Sequence, residues 1–208
     1  MHRRIDPEAA LAHLANDPVM ARVIGAVGPF RGWAPSADPF RALARSIIFQ
    51  QLSGTAAGTI FRRFIALWGF EGEAFPQPAQ VLAASDDDLR AAGLSRQKVA
   101  SIRSLAEHFA SGELSHQHFH DWDDEEIIAH LTRVRGIGRW TAEMFLMFHL
   151  GRPDVLPVND VGINRALMKQ YGLEALPKPP EVLRIGEPWR PWATVACWYL
   201  WRTEDVQT

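Results

Sequence analysis

Apolar side chains recur along this chain three and four residues apart, the spacing of helix faces, and nowhere do they alternate for long with polar ones. Phe40, Leu43, Ile47 and Ile48 form one such face after Asp38-Pro39, and Ser53 opens a second run through Ile60, Phe64, Ile65 and Trp68 that Gly69 ends. Asp6-Pro7, Asp17-Pro18, Asp38-Pro39 and Ser85, with Asp88 three residues on, have the residue types of helix N-termini. GFEGEAFPQPAQ reads as a loop; short helices follow around Val81-Leu82 and Leu89, then a longer one from Ser95 to His108. SGELSHQHFHDWDD reads as a polar connector. Asp123 or Asp124 then opens a helix through Ile127, Ile128, Leu131 and Val134, and RGIG stops it. A strongly apolar helix resumes at Thr141, RPDVLPVND is irregular because of its prolines, Asp160 caps VGINRALMKQYG, and a last helix spans about 191–203. The expectation is an all-α protein of about ten short helices, without repeats.

Composition narrows the chemistry. The 208 residues carry a net charge of −2 and 47% hydrophobic side chains, the proportions of a folded globular chain. One cysteine, Cys197, cannot build a disulfide framework, an iron–sulfur cluster or a zinc ribbon. No apolar run is long enough to span a bilayer and the N-terminus lacks the core of a signal peptide, so a soluble, cytoplasmic protein is expected. His116, His118 and His120 lack a clear second cluster, and no metal site is expected from side chains. No phosphate-binding Walker loop and no zinc-deaminase signature is present.

The charge is unevenly placed. Residues 71–130 hold 12 acidic and 4 basic side chains, and the remainder 12 acidic and 18 basic. Within 127–142 the only charged side chains are Arg133, Arg135 and Arg139, around a glycine turn. Such a patch suits a polyanion, although solvated helix ends would look the same.

The most specific pattern is Leu131-x-x-Val134-Arg135-Gly136-Ile137-Gly138-Arg139-Trp140-Thr141-Ala142, a helix, a glycine turn and a helix. The glycines permit unusual backbone angles and close approach, Ile137 can plug the groove between the helices, and outward N–H groups can meet a phosphate oxygen. Asp160 follows 22 residues after Gly138, at a helix head whose positive end favours the anionic carboxylate. A purely structural hairpin and a simple helix cap are the plain alternatives.

Together these residues resemble the helix-hairpin-helix, Gly/Pro-rich loop and Asp pattern of the base-excision DNA glycosylase superfamily. Within it the chain is most similar to the alkylation-repair branch, the 3-methyladenine glycosylase II type. FRALARSIIFQQLS, AAGLSRQKVASIRSLA, RGIGRWTAEMF, LPVNDVGINRAL and WRPWATVACWYLWRTE carry the resemblance in order over about residues 38–205. It implies two helical lobes with a cleft between them, one from 1–37 plus 151–208 with the catalytic Asp and one from 38–150 with the hairpin. No counterpart of the additional β-containing domain of larger members is expected before Asp38.

The resemblance further implies a monofunctional enzyme that flips alkylated purines such as 3-methyladenine out of double-stranded DNA and hydrolyses the N-glycosidic bond in base excision repair. Asp160 is the expected catalytic residue, stabilising positive charge on the sugar or orienting water. Members that also cut the backbone carry a lysine nucleophile in this part of the hairpin, where this chain has Trp140. Trp140, Trp201 and Met144 are expected to line the base pocket, indole faces favouring a cationic base. Arg135, Gly136, Ile137, Gly138, Arg139 and Thr141 are expected to meet the DNA backbone, and Gln50, Gln51 and Leu52 to supply the wedge that fills the gap left by the flipped base, with Gln51 foremost. No cofactor is expected beyond a possible monovalent cation on hairpin carbonyls, and the enzyme is expected to act as a bacterial, nucleoid-associated monomer. The alternatives are a glycosylase of the same fold for oxidised or mismatched bases and a non-catalytic damage-binding module.

Overall fold

The computed structural model describes residues 5–32, 38–72 and 74–205. Among them are thirteen α-helices, one 3-10 turn and no strand, as the spacing of apolar positions predicts. None of these helices is long and apolar enough to cross a membrane. The chain divides into two compact units, a central one of Ser36–Phe145 and a terminal one of Met1–Pro35 with Leu146–Thr208. The second junction falls at Phe145 and Leu146, inside a helix, rather than at 150 and 151.

The central unit contains α3 (Pro39–Phe49), α4 (Gly54–Ala66), α5 (Pro78–Ala83), α6 (Asp86–Ala91), α7 (Arg96–Ala110), α8 (His116–Asp121), α9 (Asp124–Leu131) and most of α10 (Arg139–Phe148). Short polar side chains cap the starts: Asp38, Ser53, Ser85, Ser95 and Ser115 each accept a backbone N–H of the first turn, and Asp123 with Glu126 forms a capping box. α7 lies against α3, α5 and α6, so it forms the spine of this unit. Leu43, Ile47, Ile102, Leu105 and Leu131 are fully buried around it, with an aromatic cluster of Phe40, Phe61, Phe64, Phe75 and Phe109 beside them.

The terminal unit contains α1 (Pro7–Leu14), α2 (Pro18–Val27), α11 (Val161–Tyr171), α12 (Pro179–Gly186), a 3-10 turn Glu187–Trp189 and α13 (Ala193–Asp205). α13 packs against α11 and α2. Asp17 both caps α2 through Val19 and Met20 and accepts bonds from the Tyr171 hydroxyl at 2.5 Å and the Trp189 indole at 3.2 Å, joining three separate segments. Trp189, Trp192 and Trp198 are buried as core, whereas Trp201 keeps partial exposure.

Four elements differ from the sequence reading. The polar connector holds α8, in which Ser115 caps the first turn and Phe119 supplies the one buried anchor. α12 lies in a segment to which the sequence reading assigned no element; two prolines open it, and proline is well suited to a first helical turn. α10 begins at Arg139 rather than Thr141, and α13 at Ala193 rather than 191.

Candidate functional site

In the central unit the hairpin runs from α9 through residues 132–138 into α10, and Ile137 is buried as the expected plug. Gly136 adopts φ +82°, and a Cβ there would lie 2.5 Å from Ser101 Oγ. Glycine is therefore required on both counts. Gly138 has no positive φ and a Cβ on it would meet nothing within 4 Å, so the freedom expected of both glycines is needed only at Gly136. Because α10 starts at Arg139, the N–H groups of its first turn have no carbonyl one turn back, and they give the turn its positive end.

α7 carries the support. Ser104 Oγ accepts the Arg135 N–H at 3.2 Å, and Ser101 backs Gly136 from three residues earlier. Another three residues back, Lys98 Nζ donates to the carbonyls of Ile48 at 2.6 Å and Gln50 at 2.9 Å. Burial pulls the Lys98 ammonium below its ordinary pKa. One face of a helix thus holds both the glycine turn and the end of α3.

The expected wedge segment follows α3 directly. Leu52 N–H reaches back to Phe49 O, and Gln50 (φ −53°, ψ 133°) and Gln51 (φ +58°) occupy the middle of a type II-like turn. Among the described residues Gln51 is the sole non-glycine at positive φ, a strained conformation, and its side chain and that of Leu52 are exposed. Gln50 differs: its Nε2 donates to Gly136 O at 2.9 Å, linking this turn to the hairpin.

Arg139 is similarly committed. Its guanidinium binds both Glu125 oxygens and, through Nε, Glu143 Oε1 at 3.0 Å. The Glu125 bonds hold the Arg139 pKa above its ordinary value and that of Glu125 below. The side chain ties α9 to α10, whereas Arg135 is exposed on the turn. Thr141 is buried. Trp140 is 49% exposed and Met144 intermediate; with Phe148 they lie four residues apart on one face of α10.

In the terminal unit Asp160 is the N-cap of α11 and only 7% exposed. Its Oδ1 accepts Ile163 N–H at 2.7 Å and Trp201 Nε1–H at 3.0 Å. The segment before it is fastened to α13: Thr194 Oγ1 donates to Arg152 O and accepts Val155 N–H, and Cys197 Sγ faces Val155 O at 3.9 Å. Thr194, Cys197 and Trp201 fall on one helical face, so α13 serves as the rail along which residues 152–160 are laid. Asn164 Nδ2 donates to Val158 O at 3.2 Å, closing the loop from the α11 side. The sequence reading missed this rail, as it missed Lys98, Ser101 and Ser104; the spacing of Thr194 and Trp201 was the one signal available.

No three His, Cys, Asp or Glu side chains group as a metal site among the described residues. His116 and His120 pair Nε2 to Nε2 at 3.1 Å, and His118 and His130 stack on either face of Trp122. At the hairpin, Val134 O accepts Ile137 N–H at 3.1 Å and Gly136 O accepts from Gln50, which leaves each carbonyl a second lone pair of the kind a cation uses.

A glycine hairpin followed by a buried, helix-capping aspartate defines a class. The chain belongs to the HhH-GPD superfamily of base excision DNA repair proteins, which it matches over residues 44–191. Its relatives include DNA-3-methyladenine glycosylase 1 of Schizosaccharomyces pombe, 35% identical over 188 residues that cover 90% of this chain and 81% of the relative. The structure of 3-methyladenine DNA glycosylase from that yeast in complex with abasic DNA matches with a TM-score of 0.82 at 34% identity, covering 96% of this chain and 98% of the other. That of a DNA-3-methyladenine glycosidase from Bacillus halodurans matches with a TM-score of 0.84 at 39% identity, covering 95% and 89%.

Proposed function

We propose that this member of the base excision repair family is a monofunctional DNA glycosylase that releases alkylated purines, 3-methyladenine among them, from double-stranded DNA by hydrolysis of the N-glycosidic bond. The observation that carries the reading is Asp160: a carboxylate buried at a helix N-terminus, held on one oxygen by two N–H groups from different helices. Breaking the glycosidic bond builds positive charge on the deoxyribose. A fixed carboxylate in a water-poor site stabilises that charge more than one that must reorient, and it can orient the attacking water. An N-alkylated purine is already cationic and leaves readily, which lessens the need for a general acid.

The absence of backbone cleavage follows from the lysines. α10 has none; Lys98 is bonded to α3 carbonyls, Lys169 pairs with Glu204 at 2.8 Å, and Lys178 precedes α12. No amine in the hairpin is placed to form a Schiff base. Within this proposal Trp140, Met144 and Trp201 contact the flipped base, the Gly136-Ile137-Gly138 turn with Arg135 holds phosphate, and Gln51 with Leu52 enters the duplex. A monovalent cation on the turn carbonyls would add to the grip on phosphate. The enzyme works as a monomer on the nucleoid of a bacterial cell.

The test is base release. Duplex DNA methylated at purines should yield free alkylated base and intact abasic strands that break only on later alkali treatment. Release from oxidised duplex alone, or strand scission by the protein itself, would overturn the assignment.

A further inference from the structure

Trp201 holds more than a base-contacting position. Its indole edge is bonded to Asp160 Oδ1 at 3.0 Å, while the ring packs against Phe148 with centroids 5.7 Å apart. The approach depends on Gly162: a Cβ at that position would lie 3.0 Å from Trp201 Cδ1, 3.2 Å from Nε1 and 3.1 Å from Asp160 Oδ1. A Cβ there would make the indole or the carboxylate give way by a few tenths of an ångström. The Ile163 N–H holds Oδ1 from the first turn of α11, and the indole adds a second donor to the same oxygen from another helix, α13. Stacking would use the face of the indole and positioning uses its edge, so the two roles are separable by chemistry.

We propose that Trp201 is a positioning residue for Asp160, with Gly162 providing the clearance, and that it acts on bond cleavage through the carboxylate as well as through any contact with the base. The inference rests on the assignment of Asp160 above. A misplacement of about 1 Å at a reacting group can lower a rate by about 10²-fold, so the effect should fall on the chemical step.

Trp201→Phe keeps an aromatic face and removes the N–H. With methylated duplex DNA it should lower the single-turnover rate of base release by about 10- to 100-fold, with the dissociation constant for an abasic duplex unchanged within about twofold. Gly162→Ala, which keeps the indole itself, should lower the rate in the same way, and the double variant should lose no more than the worse single one, because both break one contact. A Trp201→Phe enzyme that keeps the wild-type rate while Trp201→Ala loses it would overturn the inference and leave stacking alone. A wild-type protein that releases no alkylated base, or an Asp160→Asn variant with undiminished rate, would instead sink the assignment on which this rests. Thermal unfolding of each variant separates these outcomes from loss of fold, and the Gly162→Ala result stands if Trp201→Phe does not fold.

Discussion

Gln50 donates its side-chain amide to the carbonyl of Gly136 at 2.9 Å, joining the turn that ends α3 to the hairpin glycine 86 residues later. Two segments with separate expected roles, one entering the duplex and one gripping its backbone, are one mechanical piece in the central unit. Lys98 reinforces the piece from α7 by bonding Ile48 O and Gln50 O. The consequence is that Gln50 and Lys98 hold the backbone on which Gln51 sits.

Replacing Lys98 by Met should therefore weaken folding and binding together. Two carbonyls at the end of α3 lose their donor, and a buried unsatisfied group costs about 1–3 kcal/mol. Chemical denaturation should show a loss in that range, and affinity for an abasic duplex should fall. Full stability with full affinity would mean that the ammonium holds nothing in place.

Gln51 at φ +58° invites the opposite change. Gln51→Gly removes a left-handed strain of about 1–2 kcal/mol but adds unfolded-chain entropy of about 0.4–1 kcal/mol, so stability should rise slightly. Excision should nevertheless slow on a fully paired duplex, and less so where the lesion is mispaired and easily flipped. Equal rates on paired DNA would remove Gln51 from the wedge.

The two hairpin glycines should behave unequally. Gly136→Ala meets a positive φ and Ser101 Oγ at 2.5 Å, and overpacking with backbone strain amounts to about 2–4 kcal/mol. Gly138→Ala should change stability by less than about 1 kcal/mol, since neither obstacle exists there. Adding Ser101→Ala to Gly136→Ala should recover part of the loss in a denaturant titration; purely additive losses would show that the contact is not the cause.

Asp17 should govern part of the acid stability. Burial alone would raise its pKa, but the Tyr171 hydroxyl, the Trp189 indole and the N–H groups of Val19 and Met20 outweigh burial and hold it below the ordinary carboxylate value. A pKa lowered by folding contributes stability that is present above the unfolded-state pKa, about 3.9, and disappears as pH falls through the folded one. Asp17→Asn should flatten the stability profile in that acidic window, which unfolding experiments from neutral to acid pH would reveal.

Much of this was readable from residue order. The Asp-Pro starts of α1, α2 and α3 are local chemistry, as is the hairpin turn with Ile137 between its glycines, and the all-α class follows from spacing alone. What escaped was either too short to show a period or made by side chains far apart in the chain. α8 has one buried anchor among polar residues, and the bonds from Lys98 to Ile48 and from Trp201 to Asp160 span 50 and 41 residues. Arg139 is the instructive exception. It was expected to meet DNA, yet Glu143 stands four residues on, a spacing that already marks a helical ion pair, and Glu125 completes it.

The central claim is that the carboxylate of Asp160 speeds cleavage of the glycosidic bond. Asp160→Asn keeps the side-chain shape and an oxygen able to accept Ile163 N–H and Trp201 Nε1–H, but not the charge. Its single-turnover release of base from methylated duplex DNA should fall by about 10²–10³-fold, with thermal stability and abasic-DNA affinity retained. Excision at the wild-type rate by a folded Asp160→Asn protein would contradict the claim.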